Sequence, residues 1–138
     1  MKKIFLFLLC SFCLAACTPA PAYVFAINNE QVAVILNENM TLTEEENGFE
    51  IQDDDIIIHG MFIESETFDE YYQTVLEDDE AVILKKDKNK LIWKINGESG
   101  LEQDCLFRIS NEIAVLMGSL NEDETIYTNI DFEIETKE

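Results

Sequence analysis

The sequence holds a single histidine, His59, which excludes a metal site built from several imidazoles of one chain. It has no Gly-x-Ser-x-Gly elbow, no His-Glu-x-x-His helix and no glycine-rich phosphate loop. Beyond residue 17 it has no Cys-x-x-Cys pair. Basic residues are scarce: 9 lysines and arginines stand against 29 acidic residues, a formal charge of −20. That balance excludes the basic footprint that nucleic-acid binding needs. No long hydrophobic run is present either. The longest, Ile4–Leu14, is broken only by Ser11, and as a helix it would cover about 16 Å against a hydrocarbon core of roughly 30 Å. Internal repeats and low-complexity tracts are also missing. These gaps leave the expectation of a protein that is not an enzyme and has no cofactor and no metal site.

What the N-terminus does contain is an ordered signal. Lys2 and Lys3 precede the apolar run, which ends in Leu14-Ala15-Ala16-Cys17. A short positive region followed by a run of this length fits an export signal rather than a membrane span. The tetrapeptide resembles the lipobox of bacterial lipoproteins: leucine, two small residues, cysteine. That resemblance implies a diacylglyceryl group on the Cys17 sulfur and cleavage between Ala16 and Cys17. The alternative is an ordinary secretory signal cut near Ala16 or Ala20. Cys10 and Cys13, inside the run, act as small apolar residues.

The lipobox reading reshapes the rest of the chain. Residues 1–16 become the signal peptide, 17–22 a lipidated cysteine with a stiff tether carrying Pro19 and Pro21, and 23–138 one acidic domain. Removing Lys2 and Lys3 leaves 7 basic residues against 29 acidic ones, a balance of −22. Of the cysteines only Cys17 and Cys105 remain, and lipid consumes the first. No intramolecular disulfide is then available, and Cys105 reads as a buried core residue. The anchor implies the cell envelope. Thr18 is not the aspartate that retains many lipoproteins at the inner membrane. Where the cell has an outer membrane, its periplasmic side is favoured; otherwise the place is the outer face of the plasma membrane.

The mature part alternates like a β protein. Tyr23–Ile27 and Gln31–Leu36 are apolar runs split by Asn28-Asn29, the second also compatible with a short helix. Glu44–Gly48 reads as a loop. Phe49 and Ile51 alternate with polar neighbours, Asp53-Asp54 turns, and Ile56–Ile63 is β-branched. Phe68, Tyr71, Tyr72, Val75 and Leu76 form a helical stripe over Phe68–Asp78, with a capping-box pattern at Thr67–Glu70. Ala81–Lys86 and Leu91–Asn96 form a hairpin in which Trp93 shares a face with Leu91 and Ile95. Gly97–Gly100 turns, and Cys105–Ser110 with Ile113–Ser119 forms a second hairpin. Residues 126–134 alternate, placing Ile126, Thr128, Ile130, Phe132 and Ile134 on one side of a strand. The class is α+β: a mostly antiparallel sheet with one amphipathic helix packed on one face. The order of Ile56–Ile63, Phe68–Asp78 and the strands in Ala81–Ser119 resembles the small α/β/α-sandwich domains typified by PsbP. That family ends in a further helix, where this tail reads as strand.

Candidate sites are few. His59 lies on a strand, and reads as a surface or hydrogen-bonded histidine before a general base. Four acidic clusters, Glu44–Glu46, Asp53–Asp55, Glu77–Glu80 and Glu122–Glu124, read as solvated turns. Lys85, Lys86, Lys88, Lys90 and Lys94 gather five of the seven remaining basic residues within ten positions. They serve either to protect a strand edge or to dock an anionic surface. Three functions follow: a non-catalytic envelope binding lipoprotein, an inhibitor or immunity lipoprotein against a basic toxin or cell-wall hydrolase, and a small carboxylate-dependent hydrolase. The first leads. The charge points to a basic protein partner, besides the membrane reached through lipid.

Overall fold

The structure, a computed structural model, describes residues 22–46 and 48–135. Ala16, Cys17 and the prolines of the tether lie outside the described residues. The fold is α+β: two antiparallel sheets stacked face to face, with one helix on the outer face of the larger.

The smaller sheet contains β1 (Ala22–Ile27), β2 (Glu30–Ile35) and β10 (Asp131–Glu135), with β2 in the middle. Asn28 and Asn29 take φ values of 48° and 70°, both left-handed. Two such residues make the tight turn whose twist matches paired strands, so the run Gln31–Leu36 is strand as far as Ile35 and not helix. The larger sheet contains β3 (Thr41–Glu45), β4 (Gly48–Asp53), β5 (Ile56–Glu64), β6 (Val82–Asp87), β7 (Lys90–Gly97), β8 (Gly100–Arg108) and β9 (Ile113–Ser119). Its order is β3-β4-β5-β9-β8-β7-β6, so the chain leaves the middle at β5 and returns at the far edge. The helix α1 (Ser65–Glu77) makes that crossing.

Alternation sorts each strand of the larger sheet onto two cores. Phe49, Ile51, Ile58, Ile92, Cys105, Val115 and Met117 face the small sheet, meeting Phe25, Val32, Val34 and Phe132. Leu91, Trp93, Leu106 and Ala114 face the other way, under Phe68 and Val75 of α1. The expected burial of Trp93 is met at 3 % exposure. Arg108 fastens the helix: its guanidinium pairs with Asp69 and lies 4.4 Å from the centre of the Phe68 ring. Tyr72 donates to the Asp87 carbonyl at 2.9 Å.

Four expectations need correction. Glu44 and Glu45 belong to a strand, because Leu42 packs on the first core and Glu44 and Glu45 pair with Phe49 and Gly48. The capping box at Thr67 does not form. Strand β5 runs straight into the helix at Glu64, which makes no side-chain cap, and the Ser65 amide donates instead to the Glu112 carbonyl at 3.0 Å. Strand β8 begins at Gly100, five residues before Cys105.

The fourth correction is the tail. Residues Ile126–Asn129 form a 3-10 helix, and only Asp131–Glu135 is strand. Side chains two residues apart capture the backbone ahead of it. Ser119 Oγ accepts from the Asn121 amide, Asn121 Oδ1 from the Asp123 amide and Asp123 Oδ1 from the Thr125 amide. Such local turns compete with a sheet ladder. They pull Tyr127, expected on the polar side, fully into the core, where its hydroxyl donates to the Gln103 carbonyl. Gln103 in turn donates to the Asn121 and Asp123 carbonyls at 3.1 and 2.8 Å.

Candidate functional site

Helix α1 covers only part of its face of the large sheet. Beside it, β5, β9 and β8 are left open, and the register aligns His59, Gly118 and Asp104 across them, with Trp93 next on β7. Two adjoining depressions of about 510 and 360 Å³ share His59, Glu102 and Gly118. Together they form one continuous cleft. Asp55, Ile57, Leu120 and Asn121 line one end, and Met61, Tyr71, Trp93, Leu116 and Asp104 the other.

The rim is unusually apolar for so acidic a chain. Ile57, Met61, Tyr71 and Leu120 are 44 %, 44 %, 42 % and 56 % exposed, four of the seven large hydrophobic residues that stand out to solvent among the described residues. Tyr71 belongs to the helical stripe, but its ring faces the cleft instead of the core. Two of them, Ile57 and Leu120, line one end of the cleft, and Met61 and Tyr71 the other.

Glu102 and Asp104 supply the polar group. They lie two apart on β8, so they share a face, while Gln103 and Cys105 between and beyond them point into the first core. Burial beneath the cleft, and then the neighbouring Glu102 charge, push the Asp104 carboxyl up to about 7. Among the described residues neither carboxylate has an ion-pair or hydrogen-bond partner. The absence of a side chain at Gly118 makes room for Asp104: an added Cβ there would lie 2.7 Å from Oδ1.

His59 stands at the rim, with Glu45 Oε1 3.5 Å from Nδ1 and Glu50 Oε1 3.8 Å from Nε2. The two carboxylates approach opposite nitrogens of one ring, and the ring is 65 % exposed. One ligand atom from each of the three lies within 4.8 Å of the others, an exposed acidic group of a kind common on surfaces without an ion. Cys105 is fully buried, and burial pushes its thiol up to about 12, so it is no nucleophile.

The other sequence candidates do not converge. Lys85, Lys86 and Lys88 are exposed on the edge strand β6 and its turn, as edge protection requires. Lys90 lies 5.5 Å over the Phe107 ring, and Lys94 pairs with Glu124 at 3.6 Å on the opposite face of the sheet. Of the acidic clusters, Asp53–Asp55 touches the cleft through Asp55, while Glu77–Glu80 and Glu122–Glu124 sit in exposed turns away from it. Glu102 and Asp104, the acids on the cleft floor, belong to none of these clusters. Comparison with family models, with curated proteins and with solved structures finds no match to this chain. The chemistry of the cleft therefore carries the functional reading unaided.

Proposed function

We propose that this is a lipid-anchored envelope protein with a non-catalytic binding role, and that its partner is a basic protein received in the cleft. One observation carries the reading. A half-buried carboxyl pair with no counter-ion among the described residues opens into a cleft whose rim exposes four large apolar side chains. Water-exposed apolar groups favour a protein surface, and the acidic pair, within a chain of net charge −20, favours a cationic one. A basic toxin or cell-wall hydrolase is the narrower form of that partner.

The anchor agrees with this use. Strand β1 begins at Ala22 in the small sheet, on the side of the large sheet away from α1 and the cleft. Four residues separate it from Cys17, and the five steps between them reach at most about 17 Å. So short a tether holds the small-sheet side toward the bilayer and leaves the cleft facing away.

The test is capture of envelope proteins by the lipidated protein, followed by salt titration of whatever is retained. The expected result is a basic protein held at low salt and released as ionic strength rises. Retention of no basic protein at low salt would end this reading.

The cleft also favours a second reading. A carboxyl held near 7 with a second carboxyl two residues along the same strand is a pairing that acid–base hydrolysis can use. Turnover of cell-wall glycan, lost in Asp104→Asn, would establish that carboxylate hydrolase and displace the binding role.

A further inference from the structure

A carboxylate removed from water is unfavourable unless a positive group meets it. Asp104 is in that state. It faces Glu102 along its own strand, and across Gly118 it faces His59 of β5. From α1 it faces Tyr71, and from β7 the indole of Trp93. The charged side chain of β7 nearest in sequence, Lys94, points to the opposite face and is paired with Glu124. Among the described residues the protein thus supplies the acid and walls of indole, phenol, thioether and leucine, with no lysine or arginine lining the cleft.

That combination has a definite complement. An ammonium or guanidinium at the end of a methylene stem satisfies both parts at once, the charge on the acid and the stem along apolar walls. A free metal ion would use the acids and leave the walls wet. A purely apolar segment would bury the acids uncompensated.

We propose that Asp104 seats one lysine or arginine side chain of the partner, with Trp93, Met61, Leu116 and Tyr71 receiving its methylene stem. This rests on the reading of the cleft as the face that binds a basic protein. It adds which atom specifies the partner and how the contact responds to pH. Seating a cation favours the ionised carboxyl, so binding releases the proton that Asp104 holds at neutrality. Affinity therefore rises with pH up to about 7, by as much as about tenfold per unit, and is flat above it.

Trp93 is the chain's one tryptophan and lines the cleft, so its indole N–H signal reports occupancy. The probe is the peptide acetyl-Leu-Lys-Leu-amide, titrated into the full chain in detergent at low salt between pH 5.5 and 8.5. Movement of the Trp93 signal is expected. The affinity should follow the stated pH profile and be lost when the lysine is acetylated. Asp104→Asn, nearly isosteric, should weaken binding about tenfold or more and remove the slope. His59→Gln should keep both, which separates Asp104 from the imidazole at the rim.

No movement at millimolar peptide, or equal binding of the acetylated peptide, overturns the proposal. So does an unchanged Asp104→Asn titration. Calcium alone moving the signal with the same Asp104 dependence would assign the cleft to a metal instead. The wild-type pH slope needs no variant, so a poorly folded Asp104→Asn does not rescue the idea. If the peptide fails while the lipidated protein still retains a basic protein, the seat is elsewhere and the binding role stands.

Discussion

The Asp104 carboxylate occupies the space that a side chain at position 118 would take. An ideal Cβ on Gly118 would sit 2.7 Å from Oδ1 and 3.8 Å from Cγ, with no other atom so near. At Gly60 the obstacle differs. There an added Cβ would lie 2.2 Å from Cζ of Phe49, a ring packed among Phe25, Phe62 and Phe132. A carboxylate at the end of a free side chain can swing aside, whereas a ring inside a cluster cannot. Gly118→Ala is therefore expected to change stability by less than about 1 kcal/mol while turning Asp104 out of its place. Gly60→Ala should cost about 3 kcal/mol, near the upper range for overpacking. Urea denaturation of both variants checks the contrast; equal losses would contradict the packing described.

Asp104 also ties stability to pH. Its folded value of about 7 lies above the ordinary 3.8. A group raised on folding holds its proton more tightly in the folded state. Its favourable contribution is complete below about pH 3.8, is lost as pH rises through about 7 and stays lost above. Asp104→Asn removes that dependence. The variant should gain about 1–2 kcal/mol on wild type at pH 8, after allowance for the water that still reaches the group, and nothing near pH 4. Melting the pair side by side at both pH values isolates Asp104 from the other acids. A constant difference would show that its carboxyl is not desolvated.

Local signals made much of the fold readable in the sequence. Asn28-Asn29 specifies a tight hairpin through its own backbone preferences, and Trp93 announces its burial by sharing a period with Leu91 and Ile95. The helix was readable from its stripe, though not its start, because Ser65 is satisfied by Glu112, a residue 47 positions away. The cleft was hidden for the same reason. Asp104, Gly118, His59 and Tyr71 meet only after β9 inserts between β5 and β8. Two signals were nonetheless present. Glu102 and Asp104 alternate with Gln103 and Cys105, which puts both acids on one side of a strand. Gly118 also interrupts a strand where a glycine marks close approach.

Tyr127 closes the segment that departs from alternation. Its hydroxyl donates to the Gln103 carbonyl deep in the core, and burial holds its phenol well above the usual range. Removing the hydroxyl leaves that carbonyl buried without this donor. Tyr127→Phe is expected to cost about 1–3 kcal/mol, although the ring itself still fits. Loss of protection at the amides of Ile126–Asn129 should precede loss elsewhere, because these residues hang from Gln103. Hydrogen exchange distinguishes this from a uniform weakening of the whole domain, which would mean that the bond does not hold the segment.

Thiol chemistry can decide the state of Cys17, which lies outside the described residues, because Cys105 supplies an internal standard. Cys105 is fully buried and its thiol is pushed up to about 12 by that burial. Alkylation should therefore be negligible in the native protein and complete in denaturant. The chain has four cysteines: Cys10 and Cys13 leave with the proposed signal, and Cys17 is capped by lipid. Membrane-extracted protein should thus titrate one thiol in denaturant. Ordinary secretory cleavage near Ala16, without lipid, would leave two, and an uncut chain would leave four. Cleavage near Ala20 would also leave one, so labelling with radioactive fatty acid completes the test. Wild type should take up label and partition with membranes, and Cys17→Ser should do neither. Label retained by Cys17→Ser would overturn the anchor, and with it the orientation of the cleft away from the bilayer.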